Sequence, residues 1–345
     1  MTNKKSKGFF DEEFRRELIE KKDPLRILDE HVNWEQFRPT IEKAFSNVDY
    51  SQGGRPPFDR VMMFKVLILQ EYYGLSDAQI EFQILDRLSF QKFIGQGLHD
   101  KVPDEKTVWL FRETLTKAEV IEDLFVQLNK RLEQAGLIAN KGKIVDASFA
   151  EVPVQRNTPK ENDQIKGGTR PNWRENKSRQ KDTDATWTKK NNQSYFGYKR
   201  HTKIDLKSKL ICDFEVTPAH VHDSQVFDEL LNDWKDRGQP IYADSAYNKE
   251  NNQELYEQGY KLKILKKGYR NKVLTKNEEK SNRKLSSKRC RGEHVFAWMR
   301  QRFGYLIRVI GEIRVTAKIT LQNITYNLAR SSFLIKNKRV RASVV

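Results

Sequence analysis

The sequence is short of cysteine, of long apolar runs, and of acidic residues relative to basic ones. Two cysteines, Cys212 and Cys290, stand in 345 residues. That is too few for a disulfide framework or a four-cysteine zinc site, and such a chain is expected in a reducing compartment. The longest apolar run, Val61-Met-Met-Phe64, is broken by Lys65 before Val66-Leu-Ile-Leu69. It falls far short of the roughly 20 residues that span a bilayer. The N-terminus, Met1-Thr-Asn-Lys-Lys-Ser-Lys-Gly8, leads into the charged stretch Asp11 to Glu17 with no hydrophobic signal region, so a cytoplasmic location is expected. The acidic shortfall is 47 Asp and Glu against 64 Lys and Arg, a formal net charge of +17. Such an excess favours a polyanionic partner, nucleic acid first and an anionic membrane surface as its rival.

The cations that are present come in two blocks. Lys261 to Gly304 holds 15 Lys and Arg against 3 Asp and Glu, and Gln155 to Lys203 holds 13 against 5. The remainder of the chain is near balance. Two basic blocks are the electrostatic footprint of a phosphate-binding surface.

From Asp11 to about Gly136 apolar residues recur at three- and four-residue spacing, the period of helices. Gly53-Gly-Arg-Pro-Pro57 reads as a loop presenting Arg55 ahead of a strong helix over 58–73, apolar over most of its circumference and so central to a bundle. Gly74 ends that helix, and Ser76 or Asp77 caps the next, to Leu85. A short helix ends at Gly95, Asp104 caps another, and a last helix runs over 117–134. Short helices with tight turns suit a helix-turn-helix DNA module or a plain helical bundle.

After Gly136 the period changes to alternation. Lys143-Ile-Val-Asp-Ala-Ser-Phe149 is a short apolar strand with one acid, Asp146, in its middle. A carboxylate set among apolar residues needs a metal, hydrogen bonds or a cation if buried. Residues 150 to about 194 read as a basic polar loop or a disordered linker. Two runs over 194–205 and 210–216 make an antiparallel hairpin, and a helix is expected from Ser224 to about Trp234. Pro240-Ile-Tyr-Ala-Asp244 is a strand ending on an acid. A helix over 250–258, a strand over 260–265 and a helix carrying Glu293 follow. On that helix Arg289 and Arg300 fall within roughly 40° of Glu293.

The order strand, hairpin, helix, strand, helix, strand, helix is the layout of a ribonuclease-H-like α/β domain, a mixed sheet with flanking helices, here preceded by an all-α part. In it Asp146, Asp244 and Glu293 occupy places that can converge. Three converging carboxylates repel one another unless divalent cations lie between them. A pair of Mg²⁺ ions there activates a water or 3′-hydroxyl and stabilises the leaving oxygen of a phosphodiester. Lone acids at strand ends and on basic helices are otherwise ordinary surface features.

These residues resemble the DDE-type bacterial insertion-sequence transposases, specifically the InsH-like group (the IS-five family). The resemblance rests on Gly54-Arg-Pro-Pro57, Tyr73-Gly-Leu-Ser-Asp77, Asp86-Arg-Leu-Ser-Phe90 and Val102-Pro-Asp-Glu-Lys-Thr107 in the first part. In the second it rests on Val145-Asp-Ala-Ser148, Gly197-Tyr-Lys199 with His201, His222-Asp-Ser224 and Ala243-Asp-Ser-Ala-Tyr247. The family's Tyr-x2-Arg-x3-Glu-x6-Lys signature is matched by Arg289, Glu293 and, as a conservative replacement, Arg300; Ser286 stands at the tyrosine position. The resemblance implies a transposase that binds the terminal inverted repeats of its element, cleaves the ends and joins their 3′-hydroxyls to target DNA. It implies Mg²⁺ (with Mn²⁺ as a substitute) held by Asp146, Asp244 and Glu293, and a homodimer or larger synapse at the nucleoid.

The division expected is a helical part over 1–136, a catalytic domain over 137–335 with the basic insertion at about 150–194, and a basic tail over 336–345. Expected DNA contacts are Arg289, Arg300, Arg291, Arg55 and the run Lys199, Arg200 and His201, the last three alternatively a solvated strand edge. His222 and Asp223 are lesser candidates, His222-Asp-Ser224 reading better as a helix cap than as half of a zinc site with His220. A metal-dependent nuclease of the same fold and a transposase-derived DNA-binding regulator are the alternative functions.

Overall fold

The computed structural model describes residues 22–46, 56–97, 99–190, 192–231, 234–248, 252–269 and 273–337. Arg55, most of the Gly53–Pro57 loop, the stretch 11–17 and the tail from 338 lie outside the described residues. Helix α1 (Pro24–His31) starts with proline at its first position and the Asp23 carboxylate accepting the Leu25 amide at 3.0 Å. A 3₁₀ turn (Trp34–Phe37) and α2 (Arg38–Lys43) follow. Helix α3 (Arg60–Tyr73) is capped by Asp59, whose carboxylate accepts the Met62 amide at 2.9 Å, and buries almost every side chain from Val61 to Tyr72. It ends on Gly74, left-handed at φ 64°; a side chain there would meet the Arg302 carbonyl. Helices α4 (Asp77–Asp86), α5 (Leu88–Ile94) and α6 (Glu105–Lys117) carry the expected Ser76 box, Gly95 stop and Asp104 cap. The last expected helix starts three residues late, as α7 (Val120–Gln134), because the chain breaks at Glu119 with φ 55°.

Strand β1 (Lys143–Glu151) opens the sheet. The basic insertion is neither a bare loop nor a linker: it holds α8 (Pro159–Lys166), α9 (Glu175–Ser178) and β2 (Thr186–Lys190). Asp182 anchors it. One of its oxygens accepts the Asp184 and Ala185 amides and the buried Tyr198 hydroxyl, and the other accepts the Gly311 amide. Strands β3 (Gln193–Asp205) and β4 (Ile211–Pro218) form the expected hairpin. Instead of the helix expected to Trp234, a 3₁₀ turn at Asp223–Gln225 and further turns carry Val226, Phe227 and Leu230 into the core. Then come β5 (Pro240–Ala243), α10 (Asn252–Glu257), β6 (Lys261–Ile264), α11 (Lys276–Arg289), α12 (Glu293–Phe303) and a 25-residue α13 (Glu312–Lys336).

In the sheet, β1 lies between β3, to which it is antiparallel, and β5, to which it is parallel; β6 continues parallel beyond β5. The far side of β3 carries β4 along its second half and β2 along its first. Three antiparallel strands followed by two parallel ones, with helices on both faces, make this a ribonuclease-H-like fold. Ile144 and Ile204 face one core, shared with α1, α3, α7, α12 and α13, so the N-terminal helices and the sheet bury a common apolar cluster. Val145 faces the other, with Phe227, Ile241, Ala243, Tyr247 and Leu262. Helix α13 replaces a missing strand partner for β4: Asn327 accepts from the Ile211 amide at 2.9 Å and donates to its carbonyl at 2.8 Å.

Candidate active site

Register brings the first two acids together. The parallel ladder of β1 and β5 ends with Val145 opposite Ala243, so the next residues, Asp146 in the middle of β1 and Asp244 just past the carboxyl end of β5, emerge side by side. That crevice is where ligands sit in sheets of this kind. Asp244 closes β5 by capping the 3₁₀ turn Ser245–Tyr247, one oxygen accepting the Ser245 amide at 2.6 Å. Asp146 accepts the Ala147 amide at 3.0 Å through one oxygen and an Arg289 Nη1 donor at 2.7 Å through the other. Burial raises the Asp146 pKa above the ordinary aspartate value, Arg289 opposes the rise, and the neighbouring Asp244 charge adds to it. Close to them lies the buried Tyr247 hydroxyl, which has no hydrogen-bond partner among the described residues. Burial, first, and then the charges of Asp223, Asp146 and Asp244 push its pKa well up. Tyr247 is no candidate by residue type alone, but three residues after Asp244 is one 3₁₀ turn away, which brings it to the acids.

Arg289 and Glu293 do not share a helix, contrary to the wheel expected for them. Helix α11 ends at Arg289, α12 begins at Glu293, and Cys290–Gly292 make a turn between them. The cause is packing. The Gly292 backbone lies so close to the sheet that a Cβ would stand 3.2 Å from Ile144 Cγ2 and 3.6 Å from Ile204 Cδ1. Ile144 and Asp146 share a face of β1, so the turn sets Glu293 down beside the acids. Glu293 is exposed, stabilised by its place at a helix N-terminus, and opens on a cavity of about 290 Å³ lined also by Ser148, Arg200, Arg300 and Tyr305. Among the described residues no three His, Cys, Asp or Glu side chains lie close enough together to share a metal ion. Asp146 and Asp244 are brought together; Glu293 is beside them but apart.

The cations of β3 are placed differently from expectation. β3 is an interior strand, so Lys199, Arg200 and His201 do not stand on a solvated edge. Lys199 donates to the Val221 carbonyl at 2.7 Å and to Asp223 at 2.8 Å. Arg200 is buried against Met299 Sδ and Gln322, lines the cavity beside Glu293, and is held by burial at about 10. His201 is fully buried, its Nε2 3.0 Å from the Thr217 hydroxyl, and burial lowers it to about 4. An interior His201 has no surface to offer DNA. Arg291 and Arg300 are exposed. His222 caps the Asp223–Gln225 turn, and His220 turns instead to Thr186, so the two histidines make no zinc pair.

Residues 139–328 match the family model described as the Transposase DDE domain, and residues 13–114 match the Transposase domain (DUF772). The first match alone covers more than half of the chain. This protein belongs to the DDE transposase family. The transposase chain is also similar to the piggyBac transposase in the cryo-EM structure of its synaptic complex with hairpin DNA, at 12% identity and a TM-score of 0.46, over 93% of this chain and 77% of that one. The DDE family implies a divalent metal, and the residues present in this transposase fit one in part. Asp146 and Asp244 are hard oxygen donors, adjacent and mutually repelling, with Asp146 already held by a cationic side chain. No helix among the described residues of the transposase is long and apolar enough to cross a membrane.

Proposed function

We propose that the protein is a transposase of the InsH-like group that binds the terminal inverted repeats of its element, cleaves the ends, and transfers their 3′-hydroxyls to target DNA. The observation that carries the reading is the adjacency of Asp146, in the middle of β1, and Asp244, at the carboxyl end of β5. Asp146 and Asp244 would hold Mg²⁺, or Mn²⁺ in its place, with Glu293 as the third carboxylate of the set. A bound metal pair supplies Lewis acidity that lowers the pKa of the attacking water or 3′-hydroxyl and stabilises the leaving oxygen. Arg289 keeps Asp146 neutralised in the metal-free protein and moves to a backbone phosphate when the acid is engaged. Arg300 and Arg291 stand exposed along the same approach, and the buried Arg200 guanidinium raises the positive potential of the cavity.

The helical part over 1–136, with Arg55, recognises the ends, the domain over 137–335 cuts and joins, and the tail adds non-specific affinity. The protein works as a homodimer or larger assembly on paired ends, at the nucleoid. Incubation with end-sequence duplex, Mg²⁺ and target plasmid tests this. Joined 3′ ends are the expected product. Cleavage without joining would make the protein a nuclease, and binding without cleavage a regulator. Asp244→Asn cutting as well as wild type would sink the metal-site assignment.

A further inference from the structure

Helix α11 buries none of its 14 residues. Its inward stripe is Glu278, Asn282, Leu285 and Arg289, all half-buried. Asn282 exchanges two hydrogen bonds with the Lys266 backbone, Glu278 meets Lys266 Nζ at 3.1 Å, and Arg289 reaches Asp146. The opposite face is cationic and holds no acid. At 100° per residue, Arg283, Lys276, Lys280, Lys284 and Lys288 follow one another at steps of about 20° and then about 40° each, an arc of roughly 140°. Only Asn277 and Ser287 fall between them. Among the described residues none of the five has a carboxylate within ion-pair distance, and all five are exposed.

This is not how a merely solvated helix is built. Lys276, Lys280, Lys284 and Lys288 succeed one another at i,i+4 spacing, the arrangement in which like charges destabilise a helix. A helix of this length with no buried face is marginal in water. An anion along the outer face would offset both terms. The row extends about 18 Å, the axial rise of about five base pairs of duplex at 3.4 Å each. The occupant is fixed by the other end of the helix, since Arg289 touches the acid at which a DNA strand is to be cut.

We propose that the outer face of α11 is a sequence-independent rail for duplex DNA flanking the scissile phosphate, gripping one strand through Lys276, Lys280, Arg283, Lys284 and Lys288. The inference rests on DNA being the substrate, and its test needs no catalysis. Full-length protein is titrated onto random-sequence duplex without divalent metal, at several salt concentrations. Replacing Lys276, Lys280, Arg283 and Lys284 by glutamine should make the slope of log K against log salt shallower by about 3.6, and weaken binding at ~0.1 M salt by tenfold to a thousandfold. A milder Lys280→Gln, Lys284→Gln pair should shift the slope by about 1.8. Replacing four exposed cations at the far end of the sheet, Lys130, Arg131, Lys141 and Lys207, should leave the slope nearly unchanged. Slope changes below one in the α11 variants, or equal changes in the far-end variant, overturn the rail. Asp244→Asn separates it from the proposed chemistry: that variant should bind with the wild-type slope and fail to cut. Wild-type cleavage together with an α11 slope change below one would retain the transposase reading and remove the rail.

Discussion

Replacing Arg289 by glutamine separates the metal-free from the metal-bound state of the candidate site. In the structure Arg289 Nη1 donates to Asp146 Oδ2 at 2.7 Å, with both side chains about one-fifth exposed (21% and 18%). Charges about 4 Å apart attract by about 4 kcal/mol at an effective dielectric near 20. Desolvation and side-chain ordering reduce the net value to about 1–2 kcal/mol. A cation binding at Asp146 must displace Arg289 from that oxygen, so the arginine competes with the metal. Arg289→Gln removes the competitor, and the affinity of DNA-free protein for Mg²⁺ should rise about five- to thirty-fold, measured by Mg²⁺-dependent shifts of a urea or thermal transition. Without metal the variant should be about 1–2 kcal/mol less stable at pH 7. The pH dependence has a definite sign. Asp146 is raised in the fold, so it is most favourable while protonated, and stability is lost as pH rises through its folded value. Loss of Arg289 raises it further, so the penalty should be present at pH 7 and vanish below about pH 4, where the carboxyl is neutral in both proteins. Unchanged or weaker Mg²⁺ binding in Arg289→Gln, or a penalty that grows toward acid pH, would refute the reasoning.

Gly292→Ala should cost about 1–2 kcal/mol by denaturation and lower strand cleavage, because its methyl would press on Ile144 and the Arg289 carbonyl at 3.2 and 3.3 Å and lift Glu293 from the sheet. Asp182→Ala removes the acceptor for three backbone amides and the Tyr198 hydroxyl; a loss of about 3 kcal/mol, with faster proteolysis within 153–181, is expected. His201 is lowered to about 4, chiefly by burial, so its contribution is complete above pH 6.5 and lost as pH falls toward 4, about 3 kcal/mol in all. Urea titrations from pH 7.5 to 4.5 should show that loss in wild type and a flatter profile in His201→Gln.

The places of Asp146 and Asp244 in the fold were legible in the sequence because each depends on local pattern: an acid inside an apolar strand, and an acid closing one. The cap residues Asp59, Ser76 and Asp104 and the stops at Gly74 and Gly95 were legible for the same reason. Two features depend on contacts between distant segments and differ from what the local pattern predicts. Lys199, Arg200 and His201 look like surface residues because charged side chains are rarely buried. At these residues β3 is interior because β4 lies on one side and β1, about 50 residues earlier in the chain, lies on the other; the hairpin with β4 alone would leave an edge. The turn at Cys290–Gly292 cannot be found on a helical wheel, since residues 289–300 are compatible with one continuous helix. The break is imposed by Ile144 and Ile204, 148 and 88 residues before Gly292. The consequence bears on the mechanism. On one continuous helix, Arg289 and Glu293 would point the same way and contend for the same space beside Asp146. With a turn between them, Arg289 approaches Asp146 from the end of α11 while Glu293 opens on the cavity from the start of α12. In the proposed mechanism the arginine would then leave and the glutamate arrive from different helix ends.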